Sequence, residues 1–223
     1  MTDMDSALVK FLLVDYPAHR HKKAEQMKPL RREYPQYKKT FELHDDKEKL
    51  ADILCYKDKG EVVIQNDTNV PLEVVDIEDY IEQFPEEVKE QGRKDDQVNC
   101  KCDFIIGPTE GDPFILFVEL TQSTSKNIRD SKLTHATQQL ARSIQRFYEK
   151  DKFFDRYEKK VALFAYRVTD SKRLSKTVLK NMEIMLKRPT AVARQPIKKA
   201  THIIKSHGFI FEQRLYPTPY VIG

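Results

Sequence analysis

Residues 101–121 have the sequence KCDFIIGPTEGDPFILFVELT, which predicts two β-strands joined by a turn. The segments 101–107 and 113–121 are rich in Phe, Ile and Val, and these residues favour strands. The five residues between the two segments include a proline and a glycine, which are typical of turns. The chain is therefore expected to form a β-hairpin near its centre.

Alternation along the two strands decides which side chains share a face of this hairpin. If residues 108–112 close the hairpin, Asp103 lies opposite Phe117 and Lys101 lies opposite Glu119. Asp103 and Glu119 are then diagonal neighbours on one face, within reach of each other. The pattern therefore predicts a pair of carboxylates on a mostly apolar hairpin.

Two neighbouring carboxylates repel each other and require a counter-charge. A hard divalent cation is one solution, because Mg²⁺ is commonly held by one or two carboxylates together with water and substrate phosphates. An ordinary ion pair with Lys101 is the other solution. The residues by themselves leave open whether Asp103 and Glu119 form a Mg²⁺ site or a structural ion pair.

The regions around the hairpin alternate between helix and strand. Residues 130–148 have apolar side chains at the spacing of a helix that packs on a sheet. Residues 161–168 are apolar at nearly every position, which is typical of a central buried strand. Further helices are predicted at residues 44–53, 76–91 and 174–186, and further strands at residues 61–65, 201–205 and 209–214. This order predicts a mixed α/β (α+β) fold.

The hairpin and the helix after it resemble the PD-(D/E)xK nuclease superfamily, which has the restriction-endonuclease-like fold. The matching segments are CDFII at residues 102–106, FVELT at residues 117–121 and the helix that contains Gln139. The resemblance covers about residues 100–144 and implies a core of α-β-β-β-α-β order, with a central mixed β-sheet flanked by helices. It also implies that Asp103 and Glu119 bind Mg²⁺ and that Gln139 lies near the site. A further acid often comes from the first helix, and its candidates here are Glu78, Glu82, Glu86 and Glu87.

The chain departs from the family pattern at Thr121, which stands where the family has the lysine that orients or activates water. A hydroxyl cannot supply a fixed positive charge. Lys101 is the best substitute because of its expected place beside the two carboxylates, with Lys126 and Lys132 as weaker candidates. Alternatively, Thr121 and Gln122 position water that a metal activates, or the site has lost catalysis.

The net charge of +4 conceals three charged blocks. Residues 18–39 carry a net +6, residues 44–98 a net −10 and residues 167–205 a net +9. Basic blocks attract polyanions, and nucleic acid is the commonest polyanion in a cell. The alternative for such a block is a set of solvated helix faces. The candidate nucleic-acid-binding residues are Lys132, Arg142, Arg146, Lys172, Arg173, Lys176 and Lys180.

The sequence predicts an N-terminal basic arm at residues 1–43, packed on the core, and one nuclease-like α/β domain at residues 44–223 with a basic C-terminal third. None of the six glycines fits a dinucleotide-binding or Walker A motif or a nucleophile elbow, which excludes those enzyme classes. No apolar run is long enough to cross a bilayer. Three cysteines and the absence of a secretory signal predict a reducing, cytoplasmic location.

The main expectation is a Mg²⁺-dependent nuclease that hydrolyses phosphodiester bonds of DNA or RNA. The site would use Asp103 and Glu119 for the metal, and Lys101 or Thr121 with Gln139 to place the water. The alternative is a catalytically inactive protein of the same fold that binds nucleic acid, or that binds a protein partner through the acidic residues 44–98. Nucleic acid is the expected partner, with a homodimer or a protein partner as further candidates.

Overall fold

The chain folds as two β-sheets, with helices packed on one of them, in a computed structural model. The structure describes residues 6–35, 39–45, 52–55, 58–84, 101–123, 130–149, 151–168 and 191–223, together with positions 177, 180, 181 and 184. The strands in this part of the chain are β1 (Arg32–Glu33), β2 (Thr40–Leu43), β3 (Leu54–Cys55), β4 (Val62–Asn66), β5 (Leu72–Asp76), β6 (Phe104–Pro108), β7 (Phe114–Ser123), β8 (Lys159–Val168), β9 (Ile210–Leu215) and β10 (Tyr220–Ile222).

Four helices with defined bounds accompany these strands, and the described positions 177, 180, 181 and 184 are helical as well. Helix α1 has three consecutive segments, which are Ala7–Lys10, the π-helical Phe11–Asp15 and Tyr16–His19. The others are α2 (Ile77–Glu82), α3 (Asp130–Tyr148) and α4 (Ala191–Ser206), and short 3₁₀ turns occur at Ala24–Gln26 and Phe153–Arg156. None of the described helices combines the length and the apolar sequence that crossing a bilayer requires.

The larger sheet has six strands in the order β1–β5–β6–β7–β8–β9. Strands β1, β5, β6 and β7 pair antiparallel, whereas β7, β8 and β9 pair parallel. The smaller sheet has the order β10–β4–β2–β3, in which only β10 and β4 are parallel. The expected mixed α/β class is therefore confirmed, with strands and helices arranged around the central strand β7.

Side chains of the larger sheet alternate between two cores. On one face, Ile115 and Phe117 pack with helices α1, α3 and α4. On the other face, Leu116 and Val118 pack against the smaller sheet. Because both faces of β7 are buried, its sequence is almost continuously apolar. The end of β7, where polar residues begin, is consequently where this sheet can present functional groups.

Helix α1 belongs to the main core. Its Phe11 and Tyr16 are fully buried, and the Tyr16 ring centroid lies 4.9 Å from that of Phe147 in α3. Aromatic pairs of this kind add about 0.5–1.5 kcal/mol beyond the area that they bury. Residue 43, where the basic arm was expected to end, is the last residue of β2, and β2 pairs with strands from beyond that position.

The hairpin is confirmed, but its register differs from the expected one. Ile105, not Asp103, lies opposite Phe117. The predicted register is wrong by two residues because Pro108 belongs to β6, so the turn begins one residue later than expected. Continuing the observed pairing by one residue places Asp103 across from Glu119. The two carboxylates are thus direct rather than diagonal neighbours in the pairing.

Helix α4 includes residues 201–205, where the sequence predicted a strand. The β-branched residues there favour a strand locally. However, Ile197, Ala200 and Ile204 recur at helical spacing, and all three are buried in the core that α3 also lines. Packing therefore overrides local preference, and Gly208 follows the helix in a left-handed conformation with φ 78°.

The other predicted elements have different outcomes. Helix α3 and the strands predicted at residues 61–65, 161–168 and 209–214 are confirmed. The helix predicted at residues 44–53 is wrong at its ends, because positions 44, 45, 52 and 53 are not helical, and residues 46–51 lie outside the described residues. The helix predicted at residues 76–91 is confirmed only over α2, which ends at Glu82, because residues 83 and 84 are not helical and residues 85–91 lie outside the described residues. Of residues 174–186, the four described positions are helical.

Substituting two neighbouring isoleucines tests the packing of α4. Ile204 is fully buried and Ile203 is only half-buried. We expect Ile204→Ala to lower the free energy of unfolding by about 2–5 kcal/mol, because it leaves a cavity between α4 and the sheet. Ile203→Ala, the matched control, should cost clearly less. Urea unfolding measures both, and equal losses would contradict the helical packing.

Candidate metal centre

A cavity of about 1030 Å³ opens at the end of the larger sheet, where the polar end of β7 emerges. Seven carboxylates line it, together with one lysine and one histidine among the described residues. Such a concentration of negative charge favours the binding of cations. The lining residues are Asp45, Glu61, Glu78, Asp79, Glu82, Asp103, Glu119, Leu120, Thr121, Gln122, Lys132, His135 and Gln139.

Three of these carboxylates could hold a metal ion together. Asp45, Glu78 and Asp103 each offer an oxygen, and the three oxygens lie within 4.8 Å of one another. Asp45 follows β2, Glu78 lies in the first turn of α2 and Asp103 precedes β6. Hard divalent cations prefer ligand sets made only of oxygen. The donor set therefore fits Mg²⁺ or a similar ion and does not fit a soft metal.

Asp103 is held from two sides. Its Oδ2 accepts a hydrogen bond of 2.6 Å from the backbone N–H of Leu120, at the end of β7. Its carbonyl accepts a bond of 2.8 Å from the N–H of Ile77, at the start of α2. Burial raises the pKa of Asp103 well above its usual range, and Asp45 raises it further, while the Leu120 N–H opposes the shift. A cation bound nearby would reduce the free-energy cost of burying the ionised carboxylate of Asp103.

Helix α3 fixes the backbone that leads into Asp103. The Gln139 side-chain amide donates a 3.0 Å hydrogen bond to the carbonyl of Lys101, and the N–H of Cys102 donates a 2.8 Å bond to Ser143 Oγ. Gln139 lines the cavity as expected, and its amide nitrogen is used to hold a strand in place. We therefore assign Gln139 a positioning role.

Glu61 connects the two sheets beside the site. Its Oε1 accepts a 2.8 Å hydrogen bond from the Gln122 side chain of β7, and its Oε2 accepts a 3.1 Å bond from the backbone N–H of Asp45. His44 Nδ1 lies 3.1 Å from both oxygens. Burial raises the pKa of Glu61, and the neighbouring His44 opposes that shift. Glu61 thus fixes the loop that carries Asp45 against the end of β7.

Asp76 orients the third ligand by capping α2. Its Oδ1 accepts a 3.1 Å hydrogen bond from the N–H of Asp79, and its Oδ2 lies 3.2 Å from Arg31 Nη1. The cap fixes the first turn of the helix, which carries Glu78. Helix α2 therefore begins at a defined place directly after β5.

Most of the site residues expected from the sequence line the cavity, whereas Lys101 does not lie where it was expected. Asp103, Glu119 and Thr121 all line the cavity, and both carboxylates are buried. The expected place of Lys101 across from Glu119 is wrong, as the shifted register requires. Instead, its ammonium contacts Glu82 and lies 3.6 Å from Glu78 Oε1.

Three of the four described candidates for nucleic-acid binding lie on α3. Lys132 lines the cavity, and its Nζ donates a 2.8 Å hydrogen bond to the carbonyl of Gln122. Arg142 and Arg146 are half-buried on α3, whereas Lys180 is exposed. The remaining candidates, Lys172, Arg173 and Lys176, lie outside the described residues, as does Lys126.

Sequence reasoning missed two residues of the candidate site. Asp45 was interpreted as the start of a helix, and Glu61 as the first residue of a strand. Each is distant in sequence from the hairpin, and only the packing of the smaller sheet brings them to the cavity. The pair Asp45 and Asp46, directly after a strand-like run, was the available signal. Of the four candidate acids expected on the first helix, Glu86 and Glu87 lie outside the described residues, and Glu78 and Glu82 lie on α2. Of these two, Glu78 belongs to the triad.

Comparison with known proteins finds no matching family model, no similar curated protein and no similar solved structure. The functional interpretation therefore rests on the residues of the cavity and on their geometry.

Replacing Asp103 by Asn tests the electrostatic cost of the site. Asn retains an acceptor for the Leu120 N–H but removes one buried negative charge. Because the pKa of Asp103 is raised in the folded state, folding loses stability as the pH rises through that pKa. In a chelator at neutral pH, we expect Asp103→Asn to unfold at a higher temperature than the wild type, with a difference that shrinks on acidification.

With metal bound, the wild type should become more stable than Asp103→Asn, which reverses the order expected in a chelator. Mg²⁺ or Mn²⁺ at 100 times its Kd stabilises a folded protein by about 2.7 kcal/mol. We expect this gain in the wild type, and little of it in Asp103→Asn, by thermal unfolding with and without metal. Glu110→Gln, an exposed change at the hairpin turn, is the matched control and should retain the gain. Equal metal stabilisation of all three proteins would contradict the site.

Proposed function

We propose that the protein is a metal-dependent nuclease with a restriction-endonuclease-like core, which hydrolyses phosphodiester bonds of DNA or RNA. The observation that carries this proposal is the convergence of Asp45, Glu78 and Asp103 in one cavity, with Glu119 on the adjoining strand. Mg²⁺ is the cofactor that best suits these ligands.

The order of elements supports the proposed fold. Helix α1, the antiparallel strands β5, β6 and β7, helix α3 and strand β8 follow one another in the α-β-β-β-α-β order that the resemblance implies, with the short helix α2 inserted between β5 and β6. Strand β8 then lies parallel to β7, with α3 as the crossover between them. The strands of the smaller sheet before β5 are an addition to this core, and they supply Asp45.

The cavity residues can divide the chemistry of phosphodiester hydrolysis between them. Asp45, Glu78 and Asp103 would hold the ion, and Glu119 would face it from β7. A divalent cation held by these residues would supply polarisation of a phosphoryl oxygen and a lowered pKa of water. The Thr121 hydroxyl can donate or accept a hydrogen bond, which suits it to orienting water at the cavity wall.

The missing motif lysine has a substitute in Lys132. Lys101 contacts Glu78 and Glu82, whereas Lys132 lines the cavity itself. Its hydrogen bond to the Gln122 carbonyl places the ammonium beside the end of β7, one residue beyond Thr121. We assign Lys132 the role of stabilising the charge that develops on the phosphate, in place of a lysine at position 121.

A cleavage assay tests the nuclease proposal. Single- and double-stranded DNA and RNA are incubated with the intact protein and Mg²⁺ or Mn²⁺. We expect metal-dependent cutting of at least one substrate, reduced at least about 100-fold in Asp103→Asn and in Glu119→Gln, because each removes a charge from the site. Glu110→Gln should cut normally. Cutting that continues in a chelator, or that both site substitutions leave unchanged, would contradict the proposal.

Substitution of Lys132 tests its assigned role separately. We expect Lys132→Gln to lower kcat by about 100-fold or more, while metal still stabilises the folded protein as in the wild type. Lys132→Arg, which keeps the charge, should recover part of the rate. Lys152→Gln, at an exposed lysine outside the cavity, is the control. Unchanged cutting by Lys132→Gln would contradict the role.

Thr121 also favours a second candidate function, in which the fold binds nucleic acid without cutting it. In that case the metal would serve stability and shape only. Metal-dependent stabilisation together with no cleavage of any of the four substrates would select this alternative.

A further inference from the structure

Helix α4 has an exposed basic face. Its 16 residues, 191–206, contain no acidic residue. Lys198 and Lys199 are exposed near its middle, and within the described part of the chain neither forms an ion pair with a carboxylate. The exposed basic and histidine residues of the helix are Arg194, Lys198, Lys199, His202 and Lys205.

The opposite face of α4 is committed to the core. Ile197, Ala200 and Ile204 are buried with apolar residues of α3 and the sheet. The helix therefore has no apolar face available for insertion into a lipid surface, which distinguishes it from an amphipathic membrane-binding helix. Any partner of the exposed face must be recognised through charge and hydrogen bonds.

Helices α3 and α4 run in the same direction, so one end of the basic face lies on the same side as the cavity. Each helix connects two parallel strands, β7 to β8 and β8 to β9, and must therefore run back along the sheet. At their C-terminal ends, the ring of Tyr148 lies 4.6 Å from that of His207. The first turns of α4 consequently lie alongside the beginning of α3, where Lys132 and His135 line the cavity.

The basic face is long enough for several phosphates. Eleven residues separate Arg194 from Lys205, or about 16 Å along the helix axis. Phosphates of one DNA strand follow one another about every 3.4 Å along the duplex axis, so this length matches about five of them. The cavity, with its seven carboxylates, would repel a polyanion in the absence of a cation. The basic face of α4 would therefore attract the polyanion, whereas the cavity would accept it only together with a cation.

We propose that the exposed face of α4 is a nucleic-acid-binding surface, which holds the sugar-phosphate backbone of the strand that enters the metal cavity. This inference rests on the proposed nuclease function for its biological purpose. Binding to α4 depends on Coulomb attraction alone and does not require the metal or the cavity carboxylates. It is expected to be independent of sequence and strongly dependent on salt.

Binding without catalysis tests the surface. Fluorescence anisotropy is measured in a chelator with a labelled 20-base-pair DNA duplex and with one labelled strand of it, over a range of salt concentrations. The test variant is Lys198→Gln with Lys199→Gln. The matched control is Lys39→Gln with Lys59→Gln, which removes the same charge from exposed lysines next to the smaller sheet, on the other side of the larger sheet.

We expect the α4 variant to bind at least one probe about tenfold more weakly at 0.1 M salt. The slope of log K against log salt should fall by about 0.7–0.9 for each lysine removed. The control pair should keep the wild-type affinity and slope. Equal effects of the two pairs would overturn the proposal, as would loss of binding to anionic lipid vesicles by the α4 variant with unchanged binding of both probes.

The experiments can contradict the nuclease proposal and the α4 proposal independently of each other. If the nuclease proposal is wrong, the wild type cuts no substrate and the α4 variant still shows weakened binding. If the α4 proposal is wrong, binding is unchanged in the α4 variant while metal-dependent cutting by the wild type continues. Unfolding temperatures of both lysine pairs, which should equal that of the wild type, show that charge and not folding is responsible.

Discussion

Carboxylates crowded at one end of the larger sheet impose the main electrostatic constraint on this fold. Asp45, Glu78 and Asp103 place oxygens within 4.8 Å of one another, and each of them loses hydration on folding. The backbone N–H of Leu120 offsets part of this cost at Asp103, and the N–H of Asp45 does the same for the neighbouring buried carboxylate of Glu61. These donors come from different elements, so the cluster can form only when both sheets are assembled.

The smaller sheet is therefore part of the site as well as a cover for the core. Asp45 follows β2, and Glu61 immediately precedes β4, the strand that pairs antiparallel with β2. Glu61 is held against the end of β7 by Gln122. A displacement of the smaller sheet would move one ligand of the triad and leave the other two in place. Packing of the two sheets through the apolar face of β7 consequently determines the geometry of the cation site.

The spacing of apolar residues correctly predicted those helices and strands whose buried faces can be recognised within one segment of sequence. The hairpin, α3 and β8 are confirmed because their apolar spacing matches the faces that they bury. Asp103 and Glu119 were found because strand alternation places both on one face. The register was wrong because Pro108 continues β6, and residues 201–205 of α4 were wrongly predicted as a strand because tertiary packing outweighs the preference of their β-branched residues.

The parts that the sequence did not predict depend on contacts between distant segments. The acidic pair at residues 45 and 46 marks a candidate ligand, but the local sequence does not indicate that Asp45 meets Glu78 and Asp103, since that encounter requires two sheets to pack. Lys101 was misplaced for the same reason, because the acids that it contacts belong to α2. Interactions across the fold thus account for both the missed and the misplaced site residues.

The absence of a lysine at position 121 is compatible with the proposed chemistry when charge is considered over the whole cavity. The reaction requires a positive group near the phosphate, and it does not require that group to come from a particular strand. Helix α3 presents Lys132, His135 and Gln139 to the cavity at positions that share one helical face. A lysine from this helix can approach the same space as a lysine from β7. Thr121 can then contribute a hydroxyl at the wall, while the fixed charge is supplied by the helix.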